Sequence, residues 1–407
     1  MAKAKEEKKK KGPMIKVDAK GSRAERMASV VAGANKAFKM SIIHSADEES
    51  FMVVPRASTG LYGLDAALNG GLPIGRMSMV YGPEGSGKTN LYLRGVADAQ
   101  ERCANCYQYG EFEDGILEMP DFEKGGVKAV KTRVISSCPC GDPRDMVVLW
   151  NDAENVWTTP WARKLGVKAE KVMVVKPTYG EQAYDLISSF VSMKDIDVIV
   201  IDSIAQLTPA AEMEASMGEQ FQGIAARMNN RFLRKLISGM CEAFNAGRPI
   251  TLWAVNQYRQ KIGVIFGSNE TIPGGMGQRF ATSVEIECRK GKVSLEDETN
   301  EPIFGEFSWR VKKNKVGVEG GKGGYQQCMM DTDLFVVGDL MEHEFVIAKA
   351  VELGFVSHPN SVMYEYDGQS FRGKSVLVRY LGENPRLYHE LKTKMLRVKL
   401  GLSDGEN

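Results

Sequence analysis

Residues 77–89 read Met-Ser-Met-Val-Tyr-Gly-Pro-Glu-Gly-Ser-Gly-Lys-Thr. The apolar run Met77–Tyr81 predicts a buried strand, and the residues from Asn90 onward predict a helix. Between them, Gly82–Thr89 has the pattern Gly-x-x-x-x-Gly-Lys-Thr in the strand–loop–helix context that a phosphate-binding loop requires. The glycines let backbone N–H groups converge on phosphate oxygens, and the helix adds the positive end of its dipole. The stretch therefore predicts a site for ATP.

Three side chains have predicted roles at these phosphates. Lys88 is expected to reach the β- and γ-phosphates, and the Thr89 hydroxyl to hold Mg²⁺. A second anchor for Mg²⁺, acting through water, is Asp202 at the end of the apolar run Val198–Ile201. The residues predicted to surround the nucleotide phosphates are Gly82, Pro83, Glu84, Gly85, Ser86, Gly87, Lys88 and Thr89.

Glu154 is the candidate group for orienting the attacking water. It lies just after the strand that ends in Trp150, and the carboxyl ends of parallel strands are where ligands bind in such sheets. The alternative is a surface carboxylate in a turn. We favour a catalytic role for Glu154.

The bulk composition is that of an ordinary globular protein. Of 407 residues, 43% are hydrophobic and 26% are charged, and the net charge is +1. This charge argues neither for nor against a nucleic-acid partner. No apolar run approaches the ~18 residues that a membrane helix needs, and no signal-peptide core follows the N-terminal lysines. We expect a soluble, cytoplasmic protein.

Changes of composition along the chain predict its organisation. Residues 1–22 are rich in lysine, which favours a disordered tail over an arm that attracts DNA. Residues 23–57 contain a helix with an apolar stripe, over Arg23–Lys39, and a short strand at Met40–Ile43. These two elements need a surface to pack on, which is the chain's own core or a neighbouring subunit.

The predicted core, residues 58–332, alternates apolar runs with helical stretches, which indicates an α/β fold with a twisted, mainly parallel sheet. Residues 103–145 interrupt this pattern and form an insertion. Residues 333–407 predict a small α/β domain with a helix over Glu342–Leu353, short strands near Val362–Tyr366 and a last helix over Pro385–Leu400. The predicted core strands are Met77–Tyr81, Met146–Trp150, Val198–Ile201 and Ile250–Val255.

Several long motifs have a common likeness. Ser58-Thr59-Gly60 followed by Leu64-Asp65 leads into the phosphate loop, and Asp152-Ala153-Glu154 is followed by Ala162–Val167. Together with Leu207–Met228 and Asn256–Gly275, they resemble the bacterial-type RecA recombinases and their phage relatives. The resemblance runs from about Arg23 to Leu400 and leaves out the insertion.

The resemblance implies roles for individual residues at the nucleotide. Glu154 takes the place of the glutamate that activates water, and Gln257 that of the glutamine that senses the γ-phosphate. Lys313 and Lys315 take the place of lysines that reach the ATP of the adjacent subunit. Trp161 stands where the family usually has a tyrosine stacked on adenine, and an indole can also stack there.

The resemblance also implies a helical filament. The helix at Arg23–Phe38 corresponds to the segment that docks on the neighbouring subunit, and Phe280 to an interface aromatic. A head-to-tail contact of this kind does not close into a ring.

Two glycine-bearing loops are the predicted DNA-binding elements. A recombinase must accept any sequence, so flexible basic segments that bind phosphates suit it better than a base-reading helix. The resemblance implies that Ile265 or Phe266 separates base triplets. The predicted DNA-binding residues are Arg227, Arg259, Lys261, Ile265, Phe266, Gly274 and Gly275.

The expected function is ATP-dependent pairing of single-stranded DNA with a homologous duplex. A ring-shaped helicase on the same ATPase core is the first alternative, which the long loop motifs and the docking helix disfavour. An ATP-binding accessory protein of DNA repair is the second, which the intact Lys88, Glu154 and Asp202 disfavour.

The insertion carries two pairs of cysteines. Cys103 and Cys106 precede Cys138 and Cys140, with 31 residues between the pairs. Two thiol pairs separated by a loop are typical of a tetrahedral Zn²⁺ site in a small module, and reduced, unliganded cysteines are the alternative. The other cysteines, Cys241, Cys288 and Cys328, are expected to be buried thiols.

Overall fold

The computed structural model describes residues 20–39, 43, 45–46, 54–215, 223–260, 270–295, 302–317, 323–331, 336–337 and 341–402. Most of the predicted tail, most of the predicted strand at Met40–Ile43 and residues 261–269 lie outside these ranges. The helices are α1 Arg23–Phe38, α2 Tyr62–Ala67, α3 Lys88–Ala99, α4 Thr159–Lys164, α5 Gly180–Met193, α6 Ala210–Glu214, α7 Ile224–Asn245, α8 Met276–Ala281, α9 Glu342–Glu352, α10 Lys374–Glu383 and α11 Pro385–Leu400.

The strands fall into one large sheet and several two-stranded pairs. Strands of the large sheet are β3 Met77–Gly82, β6 Val148–Asp152, β7 Val172–Val175, β8 Val198–Asp202, β9 Thr251–Gln257, β12 Val284–Leu295, β13 Pro302–Asn314, β14 Gly323–Asp331 and β15 Val336–Val337. The pairs are β1 Arg56–Ala57 with β2 Leu72–Pro73, β4 Glu111–Pro120 with β5 Val127–Ser137, β10 Arg259–Gln260 with β11 Glu270–Thr271, and β16 Met363–Tyr366 with β17 Gln369–Arg372.

The large sheet has the order β15-β14-β13-β12-β3-β9-β8-β6-β7 over the residues that the structure describes. The six strands from β12 to β7 are parallel, and β13, β14 and β15 add an antiparallel extension. The predicted α/β fold with a mainly parallel sheet is therefore confirmed.

Alternate residues of the parallel strands enter two hydrophobic cores, one on each face of the sheet. On one face, Val80 and Trp253 pack with α3. On the other face, Met79 and Leu252 pack with α5 and α7. Because both faces are covered by helices, the strands are apolar throughout, as parallel strands usually are.

The four predicted core strands are all present, and two of them start later than predicted; the strand predicted over Ile250–Val255 begins one residue later, at Thr251. The predicted strand Met146–Trp150 begins at Val148 instead. The Val147 N–H donates to the Asp197 carboxylate at 2.9 Å, and the Val147 carbonyl accepts from the Asp197 N–H at 3.1 Å. These bonds hold the backbone before the strand in a loop.

The insertion forms a long antiparallel hairpin, β4–β5, for which the sequence pattern offered no prediction. One face of it packs against the protein, where Met119 belongs to the same buried core as Met173 of the edge strand β7. Thr132 donates to the Glu170 carboxylate at 2.6 Å. The hairpin therefore lies against the segment that leads into this edge of the sheet.

The C-terminal domain has its own hydrophobic core, built from α9, α10, α11 and the β16–β17 hairpin. Its predicted first and last helices agree with α9 and α11 to within one residue. The domain joins the large-sheet core where the buried Glu342 carboxylate accepts from the Tyr62 N–H at 2.6 Å. Among the described residues, every helix is too short or too polar to cross a membrane.

Helix α1 begins with a capping box, in which Ser22 and Glu25 bond each other's backbone N–H groups. Two residues of its predicted apolar stripe, Met27 and Phe38, are 59% and 41% exposed. The stripe is thus only partly covered, and its docking on a neighbouring subunit stays a prediction.

The motif that leads into the core is held by one buried carboxylate. Asp65 is fully buried, and its two oxygens accept from the Ser58 hydroxyl at 2.5 Å and from the Thr59 N–H and hydroxyl at 2.7 Å each. These bonds fix the turn at the start of the large-sheet core.

We predict that Asp65→Ala lowers the free energy of unfolding by about 3 kcal/mol or more, because it leaves buried donors without an acceptor. Asp65→Asn should lower the free energy of unfolding less, since the amide oxygen of asparagine still accepts hydrogen bonds. Denaturant unfolding followed by tryptophan fluorescence measures both. Asp185→Ala, on the exposed face of α5, is the control and should change stability by about 0.5 kcal/mol or less. Equal stability of Asp65→Ala and this control would contradict the role.

Candidate functional site

The phosphate-binding loop requires glycine at three positions. A Cβ at Gly82 would overlap the Cys288 carbonyl oxygen on β12. Gly85 and Gly87 have φ values of +65° and +79°, which other residues rarely adopt. Gly87 is also the N-cap of α3, so the loop passes directly from strand to helix.

The side chains of the loop bond its own backbone. The Lys88 Nζ donates to the Pro83 carbonyl at 2.6 Å, and the Ser86 hydroxyl donates to the same oxygen at 2.7 Å. Lys88 is buried, and this burial lowers the pKa of its amine. The amine therefore lies inside the loop, where the sequence predicts the phosphates.

The two predicted magnesium anchors are in contact. The Thr89 hydroxyl donates to the Asp202 Oδ2 at 2.8 Å. Burial, and then the charge of Glu154, raise the pKa of Asp202 to about 7. Among the described residues, the buried Asp202 Oδ1 has no hydrogen-bond partner. The Thr89 hydroxyl and the Asp202 Oδ1 thus offer two oxygen atoms side by side. Oxygen is the ligand that Mg²⁺ prefers, so the pair fits this ion.

Glu154 lies next to this pair. The Asp202 carbonyl accepts from the Ala153 and Glu154 N–H groups at 2.8 and 3.2 Å. The Glu154 Oε1 accepts from the Gln257 Nε2 at 2.5 Å and from the Ser203 hydroxyl. Glu154 and Gln257, predicted on separate grounds, are thus brought together by three strand ends.

Asp152 positions the loop that carries Glu154, a role that the sequence pattern does not reveal. Its buried carboxylate accepts from the Val156 N–H at 2.9 Å and the Trp157 N–H at 3.1 Å. The loop from 153 to 157 therefore turns back on the end of β6.

A cavity of about 530 Å³ brings together most of the predicted nucleotide residues, though Gly82 and Pro83 are not part of its lining. Its lining includes residues 84–90 together with Glu154, Asp202, Gln257 and Trp161. The Trp161 Nε1–H donates to the Asn90 Oδ1 at 3.0 Å, which anchors the indole beside the phosphate loop. Trp161 is therefore well placed to contact a base.

Two charged residues of the lining, Lys290 on β12 and Glu306 on β13, were not predicted from the sequence. A Cβ built on Gly85 would lie 2.7 Å from the Lys290 Nζ, so this ammonium lies over the phosphate loop. No motif marks either residue, because the pairing of β12 with β3 brings them to the site.

Gln257 is connected to the base of the second predicted DNA loop. The Asn256 Nδ2 donates to the Pro273 carbonyl at 3.1 Å and to the Gln278 Oε1 at 3.0 Å, and its Oδ1 accepts from the Gln257 N–H at 2.9 Å. Gln278 is buried at the start of α8. Gln278 belongs to no sequence motif and was not predicted, because its place beside Asn256 arises only in the folded chain.

The described predicted DNA-binding residues lie at the bases of the two loops. Arg227 is exposed in the first turn of α7, and Arg259 is exposed after β9. A Cβ on Gly275 would lie 3.1 Å from the Ala226 Cβ, so the two loop bases are packed together. Gly274 precedes it with φ +98°. The other three, Lys261, Ile265 and Phe266, lie outside the described residues.

Lys313 and Lys315 are not part of the lining of the chain's own nucleotide cavity. Lys313 donates to the Arg279 carbonyl, and Lys315 donates to the Phe280 carbonyl at 2.7 Å. The side chain of Phe280 is 74% exposed. The lysine pair and the predicted interface aromatic therefore share one surface at the end of α8.

The four cysteines of the insertion converge at the root of the hairpin. Their sulfur atoms all lie within 4.8 Å of one another. Cys288 is buried as expected, whereas Cys241 is exposed on α7, so its predicted burial is wrong. The apolar stripe of that helix faces the sheet, and Cys241 is one residue beyond it. The side chain of Cys328 lies outside the described set.

Comparison with known proteins agrees with this architecture. The family model of the RecA N-terminal domain matches residues 25–114 and 110–322, and its two segments meet where the inserted hairpin begins. Proteins named Protein RecA from Psychrobacter arcticus and Psychrobacter cryohalolentis are each 34% identical over 388 residues. One from Staphylococcus aureus is 31% identical over 386 residues. Each alignment covers 94% of this chain and 94% of the relative.

The phosphate loop at the carboxyl edge of a mainly parallel sheet defines a P-loop nucleotide-binding protein. The matches over nearly the whole length narrow this class. The chain belongs to the RecA family of recombinases.

We predict that Trp161→Ala weakens ADP binding about two- to tenfold, since a lost aromatic stack is worth about 0.5–1.5 kcal/mol. Trp161→Phe should weaken ADP binding less, because phenylalanine keeps an aromatic ring that can stack. Titration with a fluorescent ADP analogue measures both. Tyr179→Ala, an exposed aromatic outside the cavity lining, is the control. Unchanged affinity in Trp161→Ala would place the base elsewhere.

Proposed function

We propose that the chain is an ATP-dependent DNA recombinase. It forms helical filaments on single-stranded DNA and catalyses homologous pairing and strand exchange with double-stranded DNA in recombinational repair. One observation carries this proposal: the Glu154 carboxylate bonds Gln257, whose neighbour Asn256 bonds the base of the second loop. A single line of contacts thus joins an ATPase site to a loop of the kind that binds DNA.

The ATPase step needs a positioned water and a proton acceptor. In the proposed reaction, Glu154 orients a water for attack on the γ-phosphorus and takes up its proton. The bond from the γ-phosphorus to the bridging oxygen breaks, which leaves ADP and phosphate. Lys88 binds the phosphates. A Mg²⁺ ion held near Thr89 and Asp202 would neutralise part of the negative charge of the phosphates. Trp161 stacks on the adenine.

Gln257 reports the state of the nucleotide to the DNA loop. Its amide bonds Glu154 in the cavity, within reach of the place proposed for the γ-phosphate. A γ-phosphate offers this amide a new acceptor, so the position of Gln257 depends on whether ATP or ADP is bound. Asn256 and Gln278 pass that change to Pro273 at the loop base.

The DNA-binding part of the proposal rests on exposed basic groups beside flexible glycines. Arg227 and Arg259 are exposed at the bases of the two loops, and Lys261 adds a third cation in the second loop. Gly274 and Gly275 give that loop its turn, and Ile265 or Phe266 separates base triplets. Contacts of this kind bind phosphates of any sequence.

The filament part rests on the surface around Phe280. Lys313 and Lys315 point to backbone carbonyls there, outside their own cavity, which supports their binding to the ATP of the adjacent subunit. The half-covered stripe of α1 supplies the other contact. Such filaments would act in the cytoplasm, on the nucleoid, or in the host cytoplasm if a phage encodes the chain.

We predict that Glu154→Gln lowers DNA-stimulated ATP hydrolysis about 10²–10⁴-fold. Glutamine keeps the shape of the side chain and still accepts from Gln257, but it cannot take up a proton. Filaments on single-stranded DNA with ATP should persist and be visible by negative-stain microscopy. Glu365→Gln, on the exposed hairpin of the C-terminal domain, should hydrolyse ATP at the wild-type rate.

The outcome that would contradict the catalytic assignment is hydrolysis by Glu154→Gln within about threefold of wild type. Closed rings in place of filaments, or hydrolysis indifferent to DNA, would contradict the recombinase proposal itself.

The shared site predicts complementation between two inactive variants. Lys88→Ala and the double variant Lys313→Ala/Lys315→Ala should each lack hydrolysis. In an equal mixture, about a quarter of the interfaces combine an intact phosphate loop with an intact lysine pair, so activity should return. Lys312→Ala, which removes a neighbouring lysine bonded to Glu287 at 3.4 Å, is the control and should stay active alone. A mixture as inactive as its components would show that the lysines act within one subunit.

A further inference from the structure

We propose that Cys103, Cys106, Cys138 and Cys140 bind one structural Zn²⁺ and that this metal holds the root of the inserted hairpin against the C-terminal domain. The inference is independent of the proposed ATPase and DNA functions, since none of these cysteines lines the nucleotide cavity.

The sulfur positions fit a tetrahedral metal. A Zn–S bond of about 2.3 Å in a tetrahedron places sulfur atoms about 3.8 Å apart. The Cys103 and Cys140 sulfurs are 3.9 Å apart, those of Cys138 and Cys140 are 3.1 Å apart, and all four lie within 4.8 Å of one another. One ion at the centre of this cluster contacts all four with only small side-chain adjustments.

The backbone around the cysteines has the form of two metal knuckles. The Asn105 N–H donates to the Cys103 Sγ at 3.4 Å, a bond that favours a thiolate acceptor. In the second knuckle, the Gly141 N–H donates to the Cys138 carbonyl at 3.1 Å, and Gly141 has φ +72°. The short spacing Cys-x-Cys is therefore compatible with a tight turn that aims both sulfurs inward.

A set of side-chain bonds ties the two knuckles together. The Asn105 amide donates to the Asp142 carbonyl at 2.9 Å, and Arg144 donates to the Asn105 Oδ1 at 2.9 Å and to Asp197 at 2.6 Å. Metal ligands usually have such an outer layer of hydrogen bonds, which orients them. Here that layer attaches the cluster to Asp197, the residue directly before β8.

The ligand set indicates a structural site. Four cysteines complete a tetrahedron and leave no open position for a substrate or water. Cys103 is fully buried, Cys106 and Cys138 are partly exposed and Cys140 is exposed, so the ion would lie at the edge of the protein interior, partly open to solvent. Thiolates also select Zn²⁺ over the Mg²⁺ of the nucleotide site.

The first knuckle places Tyr109 in a half-buried junction. The Cys103 N–H donates to the Gln108 carbonyl at 2.9 Å, which turns the chain just before Tyr109. The Tyr109 ring stacks on His389 of α11 with centroids 4.0 Å apart, and its hydroxyl donates to Asp98 of α3 at 2.9 Å. The Arg102 guanidinium lies 3.8 Å from the centre of the same ring.

Tyr109 thus connects the helix that starts at the phosphate loop to the last helix of the C-terminal domain. Glu111, two residues further on, bonds Arg386 of α11 at 2.9 Å. Because both contacts follow the first cysteine pair directly, loss of the metal should loosen α11 from α3.

The first test is the metal content of the full-length protein, purified without chelator. We expect about one equivalent of zinc per chain, lost in Cys138→Ser and Cys140→Ser. Cys241→Ser removes an exposed thiol outside the cluster and should keep the zinc. Replacement by Co²⁺ should give the visible absorption of a tetrahedral thiolate site. Less than about half an equivalent in the wild type, or two disulfides among these cysteines by mass spectrometry, would overturn the site.

The second test is hydrogen exchange on the wild-type protein before and after chelation, which avoids variants that fail to fold. Amides of residues 103–110 and of α11 should lose protection, while those of β3 and β9 should keep it. If zinc is released and the amides of α11 stay fully protected, the metal site stands, but its proposed role at the junction is overturned.

Discussion

The site depends on the register of the parallel strands. Gly82 at the end of β3 lies opposite Gln257 at the end of β9, and Asp152 of β6 lies opposite Asp202 of β8. A slip of one residue in either pair would turn these side chains to the other face of the sheet. The alternation of Val80 and Met79 between two helical layers resists such a slip, so packing far from the nucleotide positions the catalytic groups.

This dependence explains which features the sequence could predict. The phosphate loop, Asp202 and Glu154 each follow a recognisable apolar run, and their meeting point follows from the rule that parallel strands end at one edge. The contacts of Lys290, Gln278 and Asp152 could not be predicted, because they arise from strand pairing and loop turns that leave no local pattern. The β4–β5 hairpin could not be predicted for a related reason. Its buried face is short, and its many charged residues lie on the exposed face.

The two metal sites proposed for the chain differ in how they are assembled. Thr89 and Asp202 are 113 positions apart and meet only when the whole sheet has formed. The four cysteines need only the hairpin to close, because each pair lies at one of its ends. A hard cation bound by oxygens can leave together with its nucleotide, whereas four thiolates would bind zinc tightly throughout the reaction cycle. The first arrangement suits a reaction cycle and the second suits a fixed joint.

Helix α8 is where the proposed ATP signal and the proposed subunit contact meet. Its buried Gln278 bonds Asn256 on the line from the nucleotide, and its exposed Phe280 lies beside Lys315. In a filament whose ATP site is completed by the next subunit, ATP binding and subunit contact are coupled. The free energy by which ATP strengthens the subunit contact equals the free energy by which that contact strengthens ATP binding. In the proposed cycle, loss of the γ-phosphate would both weaken the subunit contact and shift Gln257. Helix α8, Met276–Ala281, carries a bond on each side of this coupling, so it is placed to pass both changes to the loop that precedes it.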